Sequence, residues 1–145
     1  MKKLILLSMA LLTSCSTGVV EEVPTVIVPE YDYSITKDDQ IKWNDLFSQK
    51  EERYLVYFYS EYCGYCKSIK QEVLSYYLLN KEKMYFLDAI KEDAVFKSPA
   101  NDIIGLTSID NFHIAGTPMI VEFIELTVTN LYVGCDNIRL YFNEE

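Results

Sequence analysis

Tyr54-Leu55-Val56-Tyr57-Phe58-Tyr59-Ser60-Glu61-Tyr62-Cys63-Gly64-Tyr65-Cys66-Lys67 is the stretch on which the reading of this chain turns. Its first six residues are aromatic, aliphatic or β-branched without a break, the pattern of a strand buried on both faces. Ser60 to Tyr62 form a short connection. From Cys63 to about Asn80, Cys66, Ile69, Val73, Tyr76 or Tyr77, and Leu79 or Asn80 recur near one face at helical spacing. The expected unit is therefore a central strand, a cysteine-bearing loop and a helix.

Outward from this unit, Met84-Tyr85-Phe86-Leu87-Asp88 supplies a second strand, so a parallel βαβ crossover follows. Upstream, Thr36 followed by Lys37-Asp38-Asp39 resembles a capped helix start. Ile41, Trp43, Leu46 and Phe47 would give that helix an apolar face up to Ser48. Residues 89–111 carry Pro99 and Gly105 and only weak periodicity. Met119 to Glu125 and Leu131 to Val133 read as an antiparallel pair, and Asp136 can cap a short last helix through Phe142. The fold class expected is α/β, a central mixed β-sheet flanked by helices on both faces.

The chain has 145 residues, 50% of them hydrophobic and 14% aromatic, enough for one compact core and not for two. Met1-Lys2-Lys3 followed by the apolar run Leu4 to Leu12 reads as a signal peptide over residues 1–14, too short to span a bilayer stably. Leu12-Thr13-Ser14-Cys15 resembles a bacterial lipobox, which makes Cys15 the expected lipidation site and membrane anchor. Residues 15–35, with Pro24 and Pro29, read as a tether, although Val26 to Val28 could pair as an edge strand. At roughly 3.3 Å per residue such a tether reaches tens of ångströms from the headgroups. Residues 36–145 form the expected domain, exported and held on the outer side of a bacterial membrane. The formal charge is −9; without Lys2 and Lys3, 11 basic residues face 22 acidic ones, a net −11. With no basic stripe to offset phosphate charge, a nucleic-acid role is not expected.

Cys63-Gly64-Tyr65-Cys66 puts two thiols at the first turn of a helix. Unpaired amide N–H groups and the helix dipole favour an anion there, so Cys63 is the expected nucleophile and Cys66 the resolving thiol. Two other chemistries use this spacing. Haem attachment needs His after the second cysteine, where this chain has Lys67. A zinc site needs further ligands, and only Cys135 and the single histidine, His113, remain. A non-catalytic lipoprotein holding a metal ion or a polypeptide is the alternative from another functional class.

The segment Val56 to Lys67 resembles the active-site strand and loop of the thioredoxin superfamily, and Phe112-His113-Ile114-Ala115-Gly116-Thr117-Pro118 looks like that family's second landmark. The resemblance covers roughly Lys37 to Phe142. It implies a thioredoxin-like fold and thiol-disulfide oxidoreductase activity through Cys63 and Cys66, with no cofactor beyond their redox-active disulfide. It also implies a cis Pro118 packed against the pair, and substrate contacts from Thr117, Pro118, Gly64 and Tyr65. Cysteine-containing exported proteins are the partners it implies, with a membrane redox partner compatible with the same reading and the chain itself a monomer. Reductase, oxidase and isomerase directions all fit. The Gly64-Tyr65 dipeptide with Thr117 is similar to bacterial disulfide isomerases, whose dimerisation domain has no counterpart here. Where thioredoxins commonly carry a buried Asp on the strand before the cysteines, this chain has Tyr57. Glu61 and Lys67 are expected at the surface, Cys135 as a buried packing thiol, and His113 as a polar loop residue. Tyr59, Tyr62 and Tyr65 could form an apolar rim for peptide-like substrates around the pair, although core and surface packing is the commoner role of such residues.

Overall fold

The computed structural model describes residues 29–79 and 82–144. The signal peptide, Cys15 and the strand candidate Val26 to Val28 lie outside the described residues. Among those described, no helix is long and apolar enough to cross a membrane.

Six elements make the frame: β1 (Arg53–Tyr59), α1 (Gly64–Leu79), β2 (Met84–Asp88), β3 (Met119–Ile124), β4 (Thr127–Val133) and α2 (Gly134–Glu144). The strands form one mixed sheet in the order β2-β1-β3-β4, with β1 parallel to β2 and antiparallel to β3. Being central, β1 has both faces covered, which is why its sequence shows no polar alternation. Tyr54, Val56 and Phe58 point to one layer, with Leu46, Phe112 and Phe123. Leu55, Tyr57 and Tyr59 point to the other, where α1 supplies Cys66, Ile69, Val73 and Leu74 and α2 supplies Ile138 and Tyr141. At about 1.5–3 kcal/mol for each fully buried apolar side chain, this strand is a major contributor to stability.

Helical segments cover both faces of the sheet, but of different kinds. Both α-helices lie on the Tyr57 face. The Phe58 face is covered by short 3-10 turns at Trp43–Asp45 and Asn101–Ile103 with the loops around them. The α-helix expected from Thr36 to Ser48 is two 3-10 turns, Tyr33–Asp39 and Trp43–Asp45, the first capped by Asp32 rather than Thr36. Between them the chain is extended, and Ile41 donates its N–H to the Phe86 carbonyl at 2.9 Å. An amphipathic stretch here gives up helical hydrogen bonds to pair with the exposed side of β2, which also shields that edge.

The last strand starts at Thr127, four residues ahead of the sequence expectation, and a two-residue turn joins it to β3. Glu125 and Leu126 both adopt positive φ, 49° and 59°, the twist a tight hairpin needs even without glycine. A bulge opposite Glu122 and Phe123 absorbs Thr129, and Asn130, in register with Glu122, donates its side-chain amide to that carboxylate at 2.5 Å. Gly134, at φ +81°, turns the chain from β4 into α2 and donates its N–H to the Pro118 carbonyl at 2.9 Å. Two proline bonds are cis, Ser98–Pro99 and Thr117–Pro118; the sequence pattern singled out only the second.

Candidate active site

Cys63 is the residue before α1 and acts as its cap. Its Sγ accepts the backbone N–H of Cys66 at 3.2 Å, and its carbonyl accepts that of Lys67 at 3.1 Å. A hydrogen bond from the third helical amide to the capping side chain is normally made to an oxygen. A sulfur in that place gains most when it carries charge, because the acceptor then meets both the N–H and the positive end of the helix.

The second cysteine points inward. Cys66 is buried beneath Cys63, among Leu55, Tyr57, Ile69 and Ile120. Burial, followed by hydrogen bonding to Cys63, pushes its thiol up to about 12. For Cys63, burial acts in the same direction but is outweighed. Hydrogen bonds from the Cys66 thiol, the Thr117 side chain and the amides of Cys66 and Tyr65 bring it below the ordinary thiol value. One proton is held tightly and the other loosely, three residues apart.

The loop from Phe112 to Pro118 closes over the pair. Cys63 Sγ lies 3.3 Å from the Thr117 carbonyl, and Pro118 is cis and buried. The loop is held by Phe112 in the core and by two hydrogen bonds, Ile114 N–H to the Val95 carbonyl and Lys97 N–H to the Ile114 carbonyl. Beside it opens a cleft of ≈ 430 Å³ lined by Tyr65, Ser68, Thr117, Pro118, Cys135 and Arg139 among others. Five of the six site residues expected around the pair, Cys63, Cys66, Tyr65, Thr117 and Pro118, thus meet here, and Gly64 is the first residue of α1.

Order in sequence, matched geometry and family comparison now agree. A family model described as Thioredoxin matches residues 33–100, through β1, the cysteine loop and β2. The structure of thioredoxin f2 from Chlamydomonas reinhardtii superposes with a TM-score of 0.50 at 19% identity, covering 72% of this chain and 93% of that one. The fold is thioredoxin-like, and residues 33–100 match the thioredoxin family model. Its thioredoxin-like sheet also aligns with the reduced thioredoxin pre-protein of Schistosoma mansoni, at 17% identity, 70% of this chain, 90% of that one and a TM-score of 0.49. For spinach chloroplast thioredoxin f the figures are 14%, 72%, 89% and 0.49. None of the curated proteins matches the chain by sequence.

Several side chains around this thioredoxin-like site differ from their sequence expectations. Cys135 is not a buried packing thiol: it is half-exposed on the cleft, 3.5 Å from the Tyr65 carbonyl and 3.7 Å from Ser68 Oγ. His113 is a loop residue with polar partners, as expected, but a buried one, with Nδ1 2.9 Å from the Asn111 carbonyl and Nε2 2.9 Å from an Asp102 carboxylate oxygen. Tyr62 and Tyr65 are exposed on either side of Cys63, whereas Tyr59 belongs to the core. Glu61 and Lys67 are exposed, Glu61 pairing with Lys91 at 2.7 Å. Tyr31 to Tyr33, inside the stretch read as tether, pack on α1; no local pattern marks that docking, because its partner, Gln71, lies 40 residues away. Among the described residues no three His, Cys, Asp or Glu side chains converge as a metal site would require.

Proposed function

We propose that this protein is a dithiol-disulfide exchange enzyme in which Cys63 attacks and Cys66 resolves. The observation that carries this reading is the split between the two thiols: Cys63 caps α1 and is acidified, while Cys66 is buried below it and holds its proton up to about 12. The Cys63 thiolate attacks one sulfur of a substrate disulfide, forming a mixed disulfide and expelling the other substrate sulfur as a thiolate. Cys66 then loses its proton and attacks Cys63. The Cys63–Cys66 bond forms, the bond to the substrate breaks, and two electrons have passed to the substrate. Run backwards, the same steps oxidise a dithiol. No cofactor beyond the Cys63–Cys66 disulfide enters either direction.

The cleft beside Thr117 and Pro118, with the exposed Tyr65 in its wall, suits an extended polypeptide carrying a cysteine. We take its substrates to be exported proteins, with a membrane redox partner restoring the pair and the chain working as a monomer anchored through Cys15. Metabolic labelling with a fatty-acid analogue should mark the full-length chain and be lost in Cys15→Ala. A chain that is exported without label would remove the anchor from this picture.

The exchange chemistry is tested by alkylation with iodoacetamide across pH. Cys63 should label first, with a midpoint below that of an ordinary thiol, because only the thiolate reacts and its folded pKa is lowered. Cys66 should stay unlabelled until the chain unfolds or the pH approaches 12. The same protein should catalyse reduction of insulin by dithiothreitol. Two cysteines labelling together at an ordinary thiol midpoint would overturn the assignment.

A further inference from the structure

Beneath the redox pair lie two hydroxyls that the exchange steps do not use. Tyr57 stands on the α-helical face of β1, and Tyr33 covers it from the first 3-10 turn, with ring centroids 6.5 Å apart. Both pack in the cluster that contains Cys66. Both oxygens are buried, and neither makes a hydrogen bond of good geometry with the other or with any other group. Buried hydroxyls nearly always find partners, and phenylalanine would fill the same space without that cost. The rings themselves are held by contacts that need no oxygen. Tyr33 stacks on Tyr59 at 4.1 Å, and Tyr57 meets Phe86 edge-on at 5.8 Å. The segment bearing Tyr33 is fastened to α1 by two 2.7 Å hydrogen bonds between Gln71 and the Tyr31 backbone.

We propose that Tyr33 and Tyr57 are positioning residues for the resolving step: two O–H donors kept without an acceptor in the resting dithiol, held where negative charge arises when Cys66 loses its proton. This rests on the exchange chemistry proposed above and assigns the step that burial makes hardest. Negative charge on either cysteine disfavours ionising both tyrosines, so the four groups share one electrostatic neighbourhood, and burial keeps both phenols protonated and able to donate. Donors preorganised toward a developing charge act most strongly where water is excluded. No proton passes through them. Cys66 gives its proton to solvent base, its sulfur attacks Cys63, and the substrate sulfur departs as a thiolate. Most charged groups facing this cluster are paired elsewhere. Lys70 lies over Tyr33 and bonds Asp32, and Glu61 and Lys67 border the small cleft beside it. Asp88 and Lys91 pair beyond Tyr59, Asp39 and Lys83 beyond Tyr77, and Glu82 bonds Tyr76 and Tyr141 at the far end.

One probe separates the two steps. When the reduced full chain meets one equivalent of 5,5′-dithiobis(2-nitrobenzoate), a first release of thionitrobenzoate reports attack by Cys63, and a second reports resolution by Cys66. In Tyr57→Phe the first phase should keep its rate within about twofold. The second should slow about tenfold, with its pH midpoint moved up by about one unit, since a tenfold change in a protonation equilibrium is one pKa unit. Tyr33→Phe should slow the second phase about threefold and carries the test if the Tyr57 variant fails to fold. Both folded variants should be as stable as the parent or more so, which a merely structural hydroxyl would not allow. A second phase unchanged in rate and pH midpoint overturns the proposal. A wild-type chain that lacks the first phase sinks the exchange chemistry itself, and this proposal with it.

Discussion

Cys63→Ser should abolish catalysed disulfide exchange, by more than about a thousandfold, the scale on which removal of a covalent nucleophile reads in other enzymes. Cys66→Ala should instead leave Cys63 reactive and strand it as a stable mixed disulfide with its substrates. The asymmetry follows from geometry. Cys63 is half-buried beside Thr117 and caps α1, so a substrate sulfur can approach it. Cys66 is 1% exposed, so the only disulfide it can reach is one that Cys63 has already formed. Serine at position 63 can accept the Cys66 N–H as well as sulfur does, so the fold should survive, but a hydroxyl near neutral pH attacks no disulfide. The measurement is insulin reduction for Cys63→Ser, and non-reducing electrophoresis with mass spectrometry for adducts on Cys66→Ala expressed in the exporting cell. Adducts that persist when Cys63 is also replaced, or turnover retained in Cys63→Ser, would show that another group, Cys135 first among them, carries the chemistry.

What could be read from the sequence divides along the range of the interactions involved. β1 and β2 were legible because strands buried on both faces have no alternative use for six or four consecutive apolar residues. The helix after Cys63 was legible because its apolar spacing and the cysteine cap agree. The stretch from Thr36 to Ser48 was not. Its apolar residues have helical spacing, but the edge of β2 offers Ile41 a hydrogen bond that no local rule can weigh against a helical one. In β4, Asn130 looks like a strand breaker until Glu122 and Arg53, paired at 2.6 Å across the sheet, give it a partner. The site divides the same way. Cys63, Cys66, Thr117 and Pro118 sit in two short motifs. Tyr33 and Cys135 reach the site only because the chain folds back, and nothing in their neighbours announces it.

Phe112→Ala should be among the most damaging single changes away from the cysteines, costing about 3–5 kcal/mol of stability, the range for truncating a buried aromatic. Phe112 is 2% exposed and lies among four rings: Trp43 at 5.4 Å, Phe47 at 5.6 Å, Phe58 at 6.1 Å and Phe123 at 6.2 Å. Those neighbours come from the loop before β1, from β1 and from β3, so no single segment can move to fill the void. The side chain also anchors the loop that ends in Thr117 and Pro118. Loosening that anchor withdraws the Thr117 hydrogen bond from Cys63, one of the contributions holding its thiol below the ordinary value. The alkylation midpoint of Cys63 should then rise toward that of a free thiol along with the fall in the urea midpoint. Phe112→Leu, which keeps most of the volume, should cost under about 1.5 kcal/mol and leave the alkylation midpoint in place. Should Phe112→Ala lose stability while Cys63 keeps its acidity, the loop must be fixed by the Val95, Ile114 and Lys97 backbone bonds alone, and the aromatic cluster would support the fold without tuning the nucleophile.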